Sequence, residues 1–388
     1  MNSALEQLSE DHQLLAKTVE EFANNVIAPV AAKHDRDQSF PYEVIKKMGA
    51  MGLFGLPFPE EVGGMGGDFL SLCLAIEELA RVDQSVAVTL EAAVGLGTML
   101  IFRTGSAEQR QEYLPALMSG QALAGFGLTE PDGGSDASRL RTTAHLDGDE
   151  WVINGSKTFI TNSGTSITSL VIVAAITGTK SDGTKELSTI IVPSGTPGFS
   201  VGPSYFKVGW HASDTHPLSF TDVRVPASNL LGERGRGYAN FLQALDEGRI
   251  AIAALAVGAA QGCIDESIRY AKERKAFGKS IGEHQSIAFK IAEMQARTHV
   301  ARLAYYHAAS LMSAGKDFKT EASIAKLVAS DAAMDNARAA TQIFGGYGFM
   351  DEYLVARHYR DSKILEIGEG TSEVQKILIA RSLGLNAR

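Results

Sequence analysis

Four stretches of this chain bring together residue types that do chemistry. At Glu369-Gly370-Thr371 a carboxylate stands just before a segment, running through Ile377 to Leu383, that reads as a helix. Backbone N–H groups and the positive end of that helix therefore lie beside it. A carboxylate there is ordinarily a cap. In an apolar, water-poor site, the same group is a base able to take a proton next to a carbonyl whose oxygen is held by donors. At Gly125 the run GFGLTEPDGGSD offers the hydroxyls of Thr129 and Ser135, and Gly133 and Gly134 let backbone amides approach a flat ligand closely; taken alone it is equally a strand ending in a turn. At Glu273 the run ERKAFGKSIGEHQ holds Arg274, either one charge of a solvated helix end or a bidentate fork for a diphosphate. At Gln342 the run QIFGGYGFMDEY carries Gly345 and Gly346, which can also serve simply as a helix stop.

The elements that must position these stretches fall into three textures. A chain of 388 residues asks for two or three domains. From Leu5 to about Gly120 the pattern is helical, with breaks expected at Pro29, at Pro41 and at the loop PFPEEVGGMGGD. From about Leu123 to Leu231 short β-branched runs (WVI, SLVIVA, STIIV, FSV) alternate with turn signals at Asp147-Gly148 and Asp182-Gly183, which predicts a compact antiparallel β domain. After Gly237 the helical period returns, with Phe241, Leu245, Ile252, Leu255 and Ala259 on one face, and long helices predicted from Glu283 to about Ala314 and from Phe318 to about Phe344. The expected class is α+β: an N-terminal helical domain (1–122), a middle antiparallel β domain (123–231) and a C-terminal helical bundle (232–388). The absence of alternating βαβ units argues against a Rossmann fold, and GERGRG at Gly232 reads as a surface turn.

Composition narrows the partners. Acidic residues outnumber basic ones by 45 to 36, so nothing favours nucleic acid or an anionic membrane. The longest apolar stretch, near Ile250 to Ala260, reads as well short of the roughly 20 residues a membrane span needs. Cys73 and Cys263 are too few for a disulfide framework and too far apart for a metal pair, and the histidines are not ligand-spaced; no metal site is expected. A reducing compartment follows, with the cytoplasm favoured, although a processed organellar matrix protein would have the same sequence.

Together, and in this order, the four segments resemble the acyl-CoA dehydrogenase family, the FAD enzymes that desaturate acyl-CoA thioesters between the α and β carbons. The resemblance runs from about Leu5 to Leu385, and the stretch LDEGRIAIAALAVGAAQG is most similar to short-chain and short-branched-chain members. It implies that the stretch Phe126, Leu128, Thr129, Gly134 and Ser135 lines the flavin, with Ser135 also at the acyl-CoA, and that Phe159, Ile160 and Thr161 form a second flavin strand. Many members carry tryptophan where this chain has Phe159. It assigns Arg274, Phe277, Gln285, Gln342, Gly345 and Gly346 to FAD, reached from the neighbouring subunit of a homotetramer built as a dimer of dimers. Thr371, Ser372 and Glu373 match further FAD contacts. Asp246, Glu247, Gly248, Arg249 and Gly370 match the acyl-CoA segment, and Glu369 the catalytic base. An electron-transferring flavoprotein is the implied acceptor.

The sequence departs from the family pattern in places. Gly368 replaces the tyrosine usual before the base, opening the acyl site. Some isovaleryl-type relatives carry their base at the position matching Gly248, where glycine cannot serve; Glu247 is one residue and roughly 100° away around a helix, a poor substitute. Glu91, in VAVTLEAAVGLGTMLIF, is either at a pocket floor or at an exposed helix position. Ala87 stands where a decarboxylating glutaryl-type enzyme would need an arginine. The competing functions are an oxidase or glutaryl-type flavoprotein of the same fold, and a non-catalytic helical assembly protein.

Overall fold

The computed structural model describes residues 8–136 and 139–387. Leu5, where the helical pattern of the sequence begins, lies outside them.

The N-terminal helices are α1 (Glu10–Phe22), α2 (Ala28–Asp37), α3 (Tyr42–Ala50), α4 (Phe69–Ala80), α5 (Gln84–Glu91), α6 (Met99–Thr104) and α7 (Ala107–Met118). Pro41 caps α3, but Pro29 does not interrupt the chain's helix. A π turn at Ala23–Ile27 joins α1 to α2 just before Pro29, and this widened turn carries the helix past the proline. The loop before α4 ends in a reciprocal cap between Asp68 and Ser71. A second π stretch, Ala92–Thr98, follows Glu91 directly and makes Gln84–Thr104 one continuous helix. That helix and Gly237–Glu273 are each long and apolar enough to cross a bilayer, which corrects the shorter length read from the sequence. Their apolar stretches are 94% and 83% buried inside the protein itself.

The middle of the chain forms β1 (Leu123–Gly127), β2 (Thr143–Asp147), β3 (Glu150–Thr161), β4 (Thr168–Thr179), β5 (Lys185–Pro193), β6 (Phe199–Val201) and β7 (Thr215–Pro226), in the order β1-β4-β2-β3-β7-β6 with β5 beside β4. Gly148 and Gly183 occupy the left-handed turns expected of the two Asp-Gly pairs. Most pairings are antiparallel, yet β1 and β2 lie parallel to β4. The connections that return to β4 are too long to be hairpins, so nothing forces an antiparallel partner. In β4, Leu170, Ile172 and Ala174 pack into the helical core while Val171, Val173 and Ala175 pack into the sheet's own core, which explains its unbroken apolar run.

The last part contains α8 (Gly237–Glu273), the short pair β8 (Lys275–Ala276) and β9 (Lys279–Ser280), α9 (Gln285–Ser313), α10 (Lys319–Phe344), α11 (Leu354–Ser362) and α12 (Ser372–Ser382). The centre of α8 is enclosed on all sides, hence apolar around its whole circumference. Gly258 permits this: a Cβ there would lie 2.1 Å from the Glu77 carbonyl oxygen of α4. Helices α8 and α10 also pack as neighbours, with α12 and the turn before it resting on α10.

Candidate active site

Thr371 caps α12 by accepting the Val374 N–H, so the helix begins where the sequence places it. The two residues before the cap form an unusual turn. Glu369 has φ +51° and Gly370 φ +92°. A left-handed non-glycine residue costs about 1–3 kcal/mol and persists only where its surroundings hold it. Three hydrogen bonds from two side chains hold this one. The Gln375 amide donates to the Gly370 carbonyl at 2.9 Å and to the Glu369 carbonyl at 3.5 Å, and the Lys326 ammonium of α10 donates to the Gly370 carbonyl at 2.8 Å.

The turn aims the Glu369 carboxylate across α8. A Cβ on Gly248 would stand 2.2 Å from Glu369 Oε2 and 3.4 Å from a Leu96 methyl, so glycine at 248 is what lets the carboxylate in. Oε2 is buried and accepts no hydrogen bond within the protein, and the same is true of Glu91 Oε1. The two carboxyls face each other, and their repulsion in a buried site leaves at most one of them ionised. Burial, then the charge of Glu369, pushes the Glu91 carboxyl well above the usual carboxylate range, so it carries the proton. Burial likewise pushes Glu369 up, to about 7, against the lowering effects of the Glu91 hydrogen bond and the Lys326 and Arg249 charges. Glu91 is therefore inside, at 1% exposure, which decides between its two sequence readings. The π stretch that starts immediately after it locally re-aims this helix, a signal visible only in the structure.

Glu247 is buried on the same helix as Gly248, but it is held in an ion pair by Arg103. Its pKa is raised by burial and pulled back by that arginine. Arg249 pairs with Asp246, and Lys319 lies 3.7 Å from the same carboxylate. Lys326, Arg103 and Gln375 are functional neighbours that sequence reasoning missed. The one available signal was a lysine in the alanine-rich run ASIAKLVAS, whose helical period places it on the buried face.

On the β side, Phe126 sits against Phe241 with ring centroids 4.4 Å apart and joins Ala92, Leu96 and Ala244 in a small cluster next to the carboxylates. The Thr129 carbonyl accepts the Thr158 N–H at 2.9 Å, and Lys157, fully buried, ties the Leu128 carbonyl and Glu130. Phe159 is 65% exposed at φ +60°, its ring tilted against Tyr205 at 5.1 Å. Thr161 is half-buried, but the Ile160 side chain points into the sheet core, so only its backbone faces a ligand. Gly134 and Ser135 are exposed, and a Cβ on Gly134 would meet nothing within 4 Å.

Arg274, Gly345 and Gly346 come together in a separate cavity of about 540 Å³, with Tyr270, Phe344 and Tyr347 among its walls. All of its lining comes from the C-terminal helices and their connections. Arg274 stacks 6.0 Å above the Tyr347 ring and, among the described residues, has no carboxylate partner. Phe277, at φ +52° and 96% exposed, and Gln285 and Gln342, both exposed, stand outside that lining. Ser372 is buried with its hydroxyl unpartnered, and Glu373 is exposed.

A partly enclosed exposed aromatic face beside open glycine amides, an unpaired arginine over a tyrosine ring, and a buried carboxyl pair are what a flavin, a diphosphate and an enolising thioester each require. Comparison with known proteins gives the family. Models of the acyl-CoA dehydrogenase N-terminal, middle and C-terminal domains match residues 9–121, 125–223 and 235–384. The chain is 48% identical over 377 residues to the probable acyl-CoA dehydrogenase YngJ of Bacillus subtilis, covering 97% of this chain and 99% of that protein. It is 45% identical to a short-chain specific acyl-CoA dehydrogenase of Clostridium acetobutylicum, covering 96% and 98% respectively. The solved butyryl-CoA dehydrogenase of Megasphaera elsdenii superposes with a TM-score of 0.94 at 42% identity, covering 98% of this chain and 99% of that one. With all three domain models matched in order along an enzyme-like site, this chain belongs to the acyl-CoA dehydrogenase family.

Proposed function

We propose that the protein is an FAD-dependent dehydrogenase that converts a short linear or branched acyl-CoA to the trans-2-enoyl-CoA, with Glu369 as the base that takes the α-proton. The observation that carries this is the Glu369 carboxylate, buried, pushed up to about 7 and accepting a hydrogen bond from Glu91 while its Oε2 faces the glycine gap at 248. A base with a pKa near the operating pH combines an available carboxylate with useful proton affinity.

The residues present fit FAD. Phe159 would wall the ring, Thr129, Gly134 and Ser135 its polar edge, and Arg274 with Gly345 and Gly346 its diphosphate and adenosine half. When bound, FAD supplies the acceptor for the hydride that leaves the β carbon. The chain does the rest. As the α C–H bond breaks, its proton passes to Glu369, and its electron pair becomes the new Cα–Cβ π bond as the β-hydride departs. The Gly248 gap seats the Glu369 carboxylate, Glu91 stays protonated and donates to it, and the packed Leu96, Phe126 and Phe241 cluster excludes water. The Gly368 backbone has open space around it, since a Cβ there would meet only Ile364 at 3.4 Å or more, and this room suits a branch near the α carbon.

The Arg274 cavity and the exposed Phe277 support a homotetramer in which each FAD is shared between two subunits, and family membership supports an electron-transferring flavoprotein as acceptor. A decarboxylating glutaryl-type enzyme is the lesser reading, because Ala87 is buried and apolar. Anaerobic titration with butyryl, 2-methylbutyryl, isobutyryl, octanoyl and palmitoyl thioesters tests the proposal. Bleaching of the flavin should be fastest with the short or branched substrates. A maximum at octanoyl or longer would overturn the substrate class, and no bleaching with any thioester would overturn the activity.

A further inference from the structure

We infer that Lys326 is a positioning residue for the Glu369 base, its buried ammonium pinning the Gly370 carbonyl and balancing the charge of the carboxylate one residue away. This rests on the function proposed above and adds a device to it. Lys326 is wholly enclosed on α10, among Ala322, Ser323, Ala325 and Ala329, and its Nζ reaches the Gly370 carbonyl at 2.8 Å. Packing alone does not ask for it. An apolar side chain of similar length would fill the same space without the several kcal/mol that desolvating an ammonium costs. An ammonium is retained there with a polar partner in a turn whose backbone, φ +51° then +92°, is held against its own preference.

The charges around this turn come from several elements. Glu369 is faced by Glu91 of α5, Arg249 of α8 and Lys326 of α10. Lys326 is faced by Glu369, Arg249, Glu366 and Asp331. Glu366 is engaged by Lys363, and Arg249 by Asp246. Burial pulls Lys326 down to about 8, with Glu369 opposing the fall, so near pH 7 the ammonium is mostly charged. A cation at this position favours the ionised base and lowers the pH at which it becomes competent. Removing the cation makes ionisation harder, and the acid limb of activity must move to higher pH.

Two variants separate the hydrogen bond from the charge. Lys326→Gln retains a donor for the Gly370 carbonyl without a charge; Lys326→Met has neither. Both should raise the acid limb of kcat/KM for butyryl-CoA by about one pH unit. At its pH optimum Lys326→Gln should keep kcat within about threefold, whereas Lys326→Met should lose about tenfold or more with KM little changed. A purely structural lysine would lower the melting temperature and flavin content and leave the limb where it was. Folded, flavin-loaded variants with a wild-type limb would overturn the inference. Should neither variant fold, the coupling is read in reverse from 13Cε-lysine titrations of the wild type and Glu369→Gln: Lys326 should titrate at lower pH once the carboxylate is gone, and an unchanged titration would also overturn it. A wild type that no acyl-CoA reduces would instead refute the proposed activity, leaving the lysine titration to judge this inference alone.

Discussion

The Glu369 turn and the Arg274 cavity lie in the same helical domain and are built on opposite plans. The turn is closed. Its carboxylate is gripped by α5, α8 and α10, its backbone strain is held by two side chains, and Glu91, Lys326 and Arg249 of this chain act on its proton affinity. The cavity is open. Its arginine has no carboxylate partner among the described residues, and Phe277 nearby in sequence is 96% exposed and Phe349 88% exposed. Proton transfer needs a geometry held within a fraction of an ångström, which a single packed core provides. Binding a long cofactor tolerates a site completed by another surface, and that is where large apolar side chains are left facing outward.

The largest effect expected on this contrast is at the closed end. Glu369→Gln should fold and retain FAD while losing about 10⁴-fold in flavin reduction, the upper end of what a general base contributes. Glu247→Gln is its control and should keep most activity, since Glu247 is committed to Arg103. Gly248→Ala places a methyl 2.2 Å from Glu369 Oε2 and must push the carboxylate aside, so about 10²-fold should be lost in kcat with the melting temperature little altered. At the open end, Arg274→Ala should weaken FAD binding by about 1.5–3 kcal/mol, read by equilibrium dialysis, while any enzyme reloaded with excess FAD turns over normally. A monomer in sedimentation that keeps full FAD would break the contrast from that side. The smallest effect is a shift of the pH profile. Glu91→Leu removes the donor to Glu369 and should move the acid limb up by about one unit, while Glu91→Gln, which keeps a donor, should leave it nearly in place.

The sequence carried much of this, unevenly. EIGEGTSEVQ placed a helix start beside Glu369, and α12 begins at that point, whereas the role of base came from the family resemblance. The long helices and the Asp-Gly turns followed from periodicity and turn chemistry. Pro29 misled because a π turn just before it lets the helix run on past the proline. The parallel partners of β4 were hidden because alternation encodes which face is buried, never which strand lies alongside. Glu91 was undecidable for a related reason. A carboxylate in an apolar helix is explained only by what faces it, here a residue 278 positions later, at Glu369. Lys326 was overlooked since a single lysine among alanines reads as a solvated charge until its carbonyl partner is known.

Glu369 is a buried carboxylate raised to about 7. Stopped-flow measurement of flavin reduction by butyryl-CoA, from pH 5 to pH 9 and under anaerobic conditions, tests it most directly. A group raised to about 7 must lose its proton to act, so the rate should rise with pH through a midpoint near 7 and then level off, with Glu369→Gln slow at every pH. A midpoint near the ordinary carboxylate range, or a Glu369→Gln variant that reduces its flavin at the wild-type rate, would contradict it.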